Sequence, residues 1–482
     1  MTLRRLSLFL VPTGASLGVA GLVIWSDSSQ RQFLLLFLGV VIPLPIIVRV
    51  FRRQFDPFEP IVLISFAFFL LFFLRPAAHL AYGEMEYAGM RIDRGFDQAL
   101  IVAATGVIAL YIGYAAGVGR RAAQRLRPLP SRLNPEGTIM AAGGLLVVGF
   151  VLYALYIEQV GGLTFARKVL RGRDPSENLV LGEATAYFRF GAFLTIPATL
   201  LLLEAAAAKR RALFVVLTAV GTALFLVMIT GPRGDRIWLL LLVMGIFLLP
   251  YLRSQKRPRA RTLALIGVVW FGFGVTFLED VRVPVAREAS PVELFKRSAK
   301  NPFHGWRDFI LGADTEMFSV MALETELVPS IKPHEPGLTV VSLATTWIPR
   351  RLYSGKPETT DFEVYSMIFP ERARVSRAGS SPSILGGFYY DSGLIGVAIG
   401  ALLFGLLSRV LYEYLVAYPT SAGVRLLYAS TLPFVAITVR GNPTDTVGRM
   451  AYIVFPIILA LWWAGRREPQ RAHLPSVVRV GQ

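Results

Sequence analysis

The residues best suited to chemistry in this 482-residue chain are guanidinium groups standing where apolar runs end. Arg189 sits inside YFRFGAFL, Arg233 and Arg236 lie in TGPRGDRIW, and Arg440 and Arg449 bracket the turn between the last two apolar runs. An arginine at the edge of hydrocarbon needs a partner, a watery cavity or an anionic ligand. Several of them from distant segments point to one shared polar cavity. Guanidinium is permanently charged and planar and grips phosphate oxygens through paired hydrogen bonds, so the cavity suits a pyrophosphate held without a metal. Each arginine taken singly also has a structural explanation, snorkelling or pairing with a carboxylate, as Arg236 with Asp235 or Arg440 with Asp445. A second basic group, Arg350, Arg351 and Lys356, is framed by Pro349, Gly355 and Pro357. It would present cations to a lipid phosphate, with ordinary headgroup binding as the plainer alternative.

Transfer of a group onto a hydroxyl also needs a proton acceptor. Asp391, Glu279, Asp280, His304 and His334 are the candidates, and Asp391 in GFYYDSG, read as opening a helix, is the one most closely tied to a helix end. A surface-loop role is the plainer account of either histidine. No H-E-x-x-H, P-loop, G-x-S-x-G or D-x-D motif stands in a useful context, so zinc protease, P-loop ATPase and common hydrolase readings fall away. There are no cysteines, which removes disulfides, thiol catalysis and thiolate-bound metal. No metal and no cofactor is expected.

Positioning these groups falls to helices in a membrane. The chain is 54% hydrophobic, carries 33 Phe and only 17% charged residues, and has a mean hydropathy of +0.54. Apolar runs predict twelve transmembrane helices, at 7–25, 33–50, 60–75, 99–118, 138–157, 187–206, 212–230, 237–252, 262–279, 392–415, 424–439 and 448–465. The fold class is therefore an all-α polytopic membrane protein. Residues 1–279 form a nine-helix region, 280–391 an extracytoplasmic block containing short helices, 392–465 three last helices, and 466–482 a basic tail. The first run follows Arg4 and Arg5 like a signal peptide, but no A-x-A site follows it, so it reads as a retained helix.

The net charge of +18 follows the positive-inside rule. With a cytoplasmic amino terminus, the cytoplasmic side with its helix ends holds about 24 Lys/Arg and about 6 Asp/Glu, and the other side about 26 of each. Both termini are then cytoplasmic, the basic loops lie against anionic lipid headgroups, and no nucleic-acid partner is expected. Two shorter outer loops, 76–98 and 158–186, are polar and glycine-rich and either wall a cavity or merely connect. In the long block, Asp314 or Thr315 would cap a helix with Phe318, Met321 and Val328 on its apolar face, read as core packing. The stretch 338–348 is apolar but too short to span, so it reads as interfacial or re-entrant. No internal repeat is visible, which counts against transporters built from paired halves.

Three patterns in order, TGPRGDR, IPRRLYSGKP and SPSILGGFYYDSGLIGVAIGALLFGLL, resemble bacterial O-antigen and oligosaccharide repeat-unit polymerases of the Wzy type. They cover about sixty residues as motif and most of the chain as architecture. The resemblance implies a GT-C-like membrane glycosyltransferase at the outer face of the inner membrane. It would move a glycan from undecaprenyl pyrophosphate onto a lipid-linked repeat unit, with neither nucleotide sugar nor metal. Arg233, Arg350 and Lys356 fall on the motif positions; Arg189, Arg282, Arg377, Arg440 and Arg449 rest on topology alone. Whether a chain-length regulator protein binds stays open. An O-antigen ligase shares the topology and arginines, whereas a lipid-linked oligosaccharide flippase would favour ionisable residues at mid-helix and two comparable halves.

Overall fold

The structure is a computed structural model that describes residues 29–159, 161–162, 188, 190–208, 212–230, 236–254, 296, 300, 305–312, 314–346, 348, 352–375 and 381–466. In chain order the helices are α1 (Ser29–Val41), α2 (Leu44–Phe51), α3 (Pro60–Phe69), α4 (Arg75–Tyr82), α5 (Asp93–Ala115), α6 (Gly117–Arg125), α7 (Pro135–Gln159), α8 (Thr195–Ala208), α9 (Ala212–Thr230) and α10 (Arg236–Ser254). The outer block supplies α11 (Trp306–Leu311), α12 (Met317–Leu327), α13 (Leu338–Thr345), α14 (Thr360–Ile368) and α15 (Pro370–Val375). Three long helices follow, α16 (Ser383–Ala417), α17 (Ala422–Arg440) and α18 (Pro443–Ala464). Four two-residue strands, β1 (Glu86–Tyr87), β2 (Met90–Arg91), β3 (Arg132–Leu133) and β4 (Gly465–Arg466), pair as β1 with β2 and β3 with β4.

Seven helical stretches among the described residues are long and apolar enough to cross a membrane: Gln30–Phe51, Pro60–Tyr82, Asp93–Ala115, Pro135–Gln159, Ser383–Ala417, Ala422–Arg440 and Pro443–Ala464. A 23-residue helix reaches about 34 Å, enough for a hydrocarbon core. Ile395, Ile399, Leu403 and Leu407 form an exposed apolar stripe at i, i+4 spacing along α16, a surface that suits lipid rather than water. The chain is thus an all-α, membrane-embedded protein. The expected helices at 212–230 and 237–252 coincide with α9 and α10, and that at 187–206 overlaps a 3-10 turn at Phe190–Leu194 followed by α8; all three carry shorter apolar stretches. Those at 7–25 and 262–279 lie outside the described residues.

Three boundaries differ from the sequence reading. The second span continues past Arg75 to Tyr82 through a π-helical turn at Leu70–Leu74. Arg75 resembles a stop signal, yet it is buried and its donors are taken by the outer block, so the outer connection shrinks to a short hairpin. Helix α16 opens at Ser383 rather than 392, and the chain kinks where Gly393 has φ of 62°. Asp391 therefore sits at the end of a first helical segment instead of opening the helix. The cap of α12 is Glu316, without a side-chain bond, because Asp314 turns to Arg440 and the Thr315 hydroxyl to the Phe309 and Ile310 carbonyls.

Short connections alternate helix direction, which sorts the molecule into two ends. One carries Arg52, Arg53, Arg120, Arg121, Arg125, Arg132 and Arg253 and is the basic end; β3 meets β4 there, and Asn134 donates its backbone N–H to Ala464. The other, the block end, carries the hairpin, α11 to α15 and the α17–α18 turn. The central crossing joins α5 to α16, where a β-carbon at Gly113 would run into the Leu402 carbonyl and one at Gly405 into that of Leu110. Glycine lets the two backbones approach this closely. Helix α12 is packed beneath the block, with Met317 through Glu324 all buried, in line with the core role read from its apolar spacing.

Candidate functional site

At the block end α18 starts with an ordered turn. Asn442 caps it, its side-chain oxygen accepting the Thr444 N–H at 2.7 Å. That places Asp445 in the first turn, where a carboxylate suits the helix dipole. One turn on, Arg449 Nε pairs with Asp445 Oδ2 at 3.0 Å. Arg440, the last residue of α17, reaches the outer block and donates from Nη2 to Asp314 at 3.2 Å. These two of the sequence-nominated arginines therefore stand on one rim.

Lys356 comes to the same rim. Its ammonium donates to the Thr346 and Ile348 carbonyls at 3.1 and 3.2 Å, closing the carboxyl-terminal end of α13. Thr346 in turn faces α18, its Oγ1 3.7 Å from a β-carbon placed on Gly448. Asp391 holds the opposite end of α13: Oδ1 accepts the Thr339 N–H and hydroxyl, each at 3.1 Å. A carboxylate oxygen occupied in this way positions a helix. His334 lies beside it, against the Tyr389 ring with centroids 5.4 Å apart.

Ring packing brings further arginine-bearing segments to this rim. Phe190 stacks on Tyr452 of α18 at 4.7 Å and packs against Trp238 of α10 at 6.0 Å. Tyr452 is three residues beyond Arg449, on the same helical face. Helix α10 opens at Arg236 and ends at Ser254, and Arg253 in its last turn is bound to Glu204 at the basic end. Arg236 thus starts the helix at the block end. Arg189, Arg233, Arg282, Arg350, Arg351, Arg377, Glu279, Asp280 and His304 lie outside the described residues.

Behind the rim is a cluster of buried polar side chains that the sequence did not single out. Asp361, second residue of α14, is held by Ser381 and lies near Asn442, Asp445 and Arg449, while its Oδ1 makes no hydrogen bond. Burial, and then the charge of Asp445, push its carboxyl up to about 7 against the pull of Ser381, Asn442 and Arg449. Glu324 lies deeper, fully buried, with neither oxygen hydrogen-bonded, and Gly386 is closed over Oε2. Burial raises it well above the usual carboxylate range, and Asp361 and Asp391 add to the rise. The Thr360 hydroxyl, also buried, has no partner. Buried polar atoms are rarely left unpaired, and those of Asp361, Glu324 and Thr360 gather on this side of α18, with Arg449 facing Asp361. Among the described residues no group of three or more His, Cys, Asp or Glu is arranged to hold a metal.

A second buried web, around Arg75, is anchored rather than open. Arg75 donates to the Gly312 carbonyl at 2.7 Å, to the Thr315 hydroxyl at 3.0 Å and to Ser319 at 2.9 Å; Ser319 also meets His79 Nε2 at 2.8 Å. Tyr87 holds Glu316 at 2.8 Å, and burial outweighs the pull of Tyr87, Arg75 and Arg440 to raise the Glu316 carboxyl. This web ties the outer block to the second span. A single signal in the sequence could have revealed it: Arg75 and His79 lie at i, i+4 in an otherwise apolar run. In comparisons with known proteins, no family model, no curated protein and no solved structure matches this chain.

Proposed function

We propose that this chain is a polysaccharide polymerase of the O-antigen type. It transfers a glycan from undecaprenyl pyrophosphate to a lipid-linked oligosaccharide repeat unit at the outer face of a bacterial inner membrane. In this reading both termini are cytoplasmic and the block end faces the periplasm. The supporting observation is the convergence at the block end. Arg440, Arg449 and Lys356 stand on one rim, and Phe190, Trp238 and Tyr452 gather the starts of two more arginine-bearing segments against α18. A pyrophosphate leaving group gains negative charge as the glycosidic bond breaks, and preorganised guanidinium groups in a partly dry site stabilise that charge. The donor and acceptor are both lipid-linked, so a rim at the edge of the apolar span lets headgroups reach it without leaving the bilayer. A ligase passing the same donor to a different acceptor would use the same rim.

Binding tests the reading directly. Purified protein in nanodiscs should bind undecaprenyl pyrophosphate and bind undecaprenol far more weakly. A charge-assisted hydrogen bond is worth about 1.5–3 kcal/mol, so Arg449→Ala should weaken pyrophosphate binding about 10- to 100-fold. Equal binding of both lipids by the wild-type protein would refute the reading.

A further inference from the structure

Resting on the glycan-transfer reading, we propose that Asp361 is the catalytic residue that accepts the proton of the acceptor hydroxyl, with the buried, unpartnered Glu324 behind it. Three observations carry this. Asp361 is half-buried as a residue, and its Oδ1 is buried and makes no hydrogen bond. It faces Arg449 on one side, and Ser381 holds it. Glu324, fully buried and unpartnered, stands independently behind it.

The charges around Asp361 come from each element that faces it. Glu324 belongs to α12, Asp391 reaches Glu324 from α16, and Asp445 and Arg449 belong to α18. Two close carboxyls in a buried site do not both ionise readily. Burial, Asp361 and Asp391 push the deeper Glu324 toward its protonated form, while Arg449 favours the ionised form of Asp361. In the step, the acceptor hydroxyl oxygen forms a bond to the anomeric carbon of the donor glycan as the bond from that carbon to the pyrophosphate oxygen breaks. The bonding electrons leave with the pyrophosphate, next to the rim cations. The hydroxyl proton passes to the Asp361 carboxylate and then to water, so atoms and charge balance without any further reagent. A carboxyl titrating near neutrality is well matched to this task.

The test uses the full-length protein in nanodiscs and the lipid-linked oligosaccharide extracted from the membranes of the native cells. Wild-type kcat should rise with pH through about 7 as Asp361 ionises. Asp361→Asn should lower kcat by about 100-fold or more and remove the rising limb, and Asp361→Glu should restore part of both. Asp391→Asn should keep the limb. Infrared titration supplies a readout independent of turnover: a protonated carboxyl band lost as pH passes about 7 in the wild type and absent from Asp361→Asn. If Asp361→Asn does not fold, Asp361→Glu and the wild-type infrared titration decide. Wild-type kcat and an intact limb in Asp361→Asn, or no such band, would overturn the assignment while leaving the transfer reading in place. A wild-type protein that makes no transfer product would remove the transfer reading and this assignment together.

Discussion

Removing Glu59 should expose how much of the fold rests on charge buried at the basic end. Glu59 is 3% exposed and accepts from Arg49 Nη2 at 2.6 Å and from the Tyr114 hydroxyl at 2.9 Å; Arg409 approaches the same oxygen at 3.5 Å. Arg49 also reaches the second carboxylate oxygen through Nε. Glu59→Ala leaves two cations facing the Tyr114 ring, and Arg49 keeps only the Pro45 carbonyl at 3.3 Å. Breaking a buried pair by deleting one partner costs about 3–5 kcal/mol. The lower end applies here, since the Arg49 and Arg409 side chains keep 19% and 26% of their exposure and Arg409 retains Glu413. The assay is denaturant unfolding of purified protein in one detergent, with Glu326→Ala as the control. Glu326 pairs at 3.4 Å with an Arg94 that is 85% exposed, a pair worth under about 1 kcal/mol. Glu59→Gln, which keeps a partner for Tyr114, should fall between. A Glu59→Ala variant within about 1 kcal/mol of the control would refute the claim that this network holds α2, α3, α5 and α16 together.

Three further outcomes follow from the geometry. The Asp361 carboxyl is raised from 3.8 to about 7, so the folded state favours the proton; its ionisation destabilises the fold increasingly between those values and fully above them. Asp361→Asn should therefore unfold like the wild type at pH 4 but be more stable at pH 8, by at most about 4 kcal/mol, and equal stability at both would contradict the burial described. Gly405→Ala places a methyl against the Leu110 carbonyl and should cost about 1–3 kcal/mol in the same unfolding assay, with an unchanged midpoint counting against the close crossing. Arg233→Ala should abolish chain elongation in cells while membrane insertion, followed by fractionation, is intact; full elongation would remove Arg233 from the site.

The spans and the basic end were legible because both are local. A run such as 99–118 declares its apolar length, and Arg120, Arg121 and Arg125 their charge, without reference to anything distant. Arg440 and Arg449 were legible as helix-end cations, although their partners Asp314 and Asp445 differ in kind, one brought in from the outer block and one from the next turn. What stayed hidden depends on contacts between remote segments. Arg75 resembles a stop signal until Ser319 and the Gly312 carbonyl are placed over it, and Asp361 is one acid among many until folding buries it against Asp445. The anchoring of Asp391 was hidden for the same reason: its position in the motif is visible, but its bond to Thr339 across 52 residues is not.

The most direct measurement gives purified protein nothing but undecaprenyl-pyrophosphate-linked repeat units and resolves the products by length. Polymerase activity should yield a ladder of glycans rising by one repeat unit, without added nucleotide sugar or metal. Donor that is bound but never extended, or moved across the bilayer unchanged, would contradict the account.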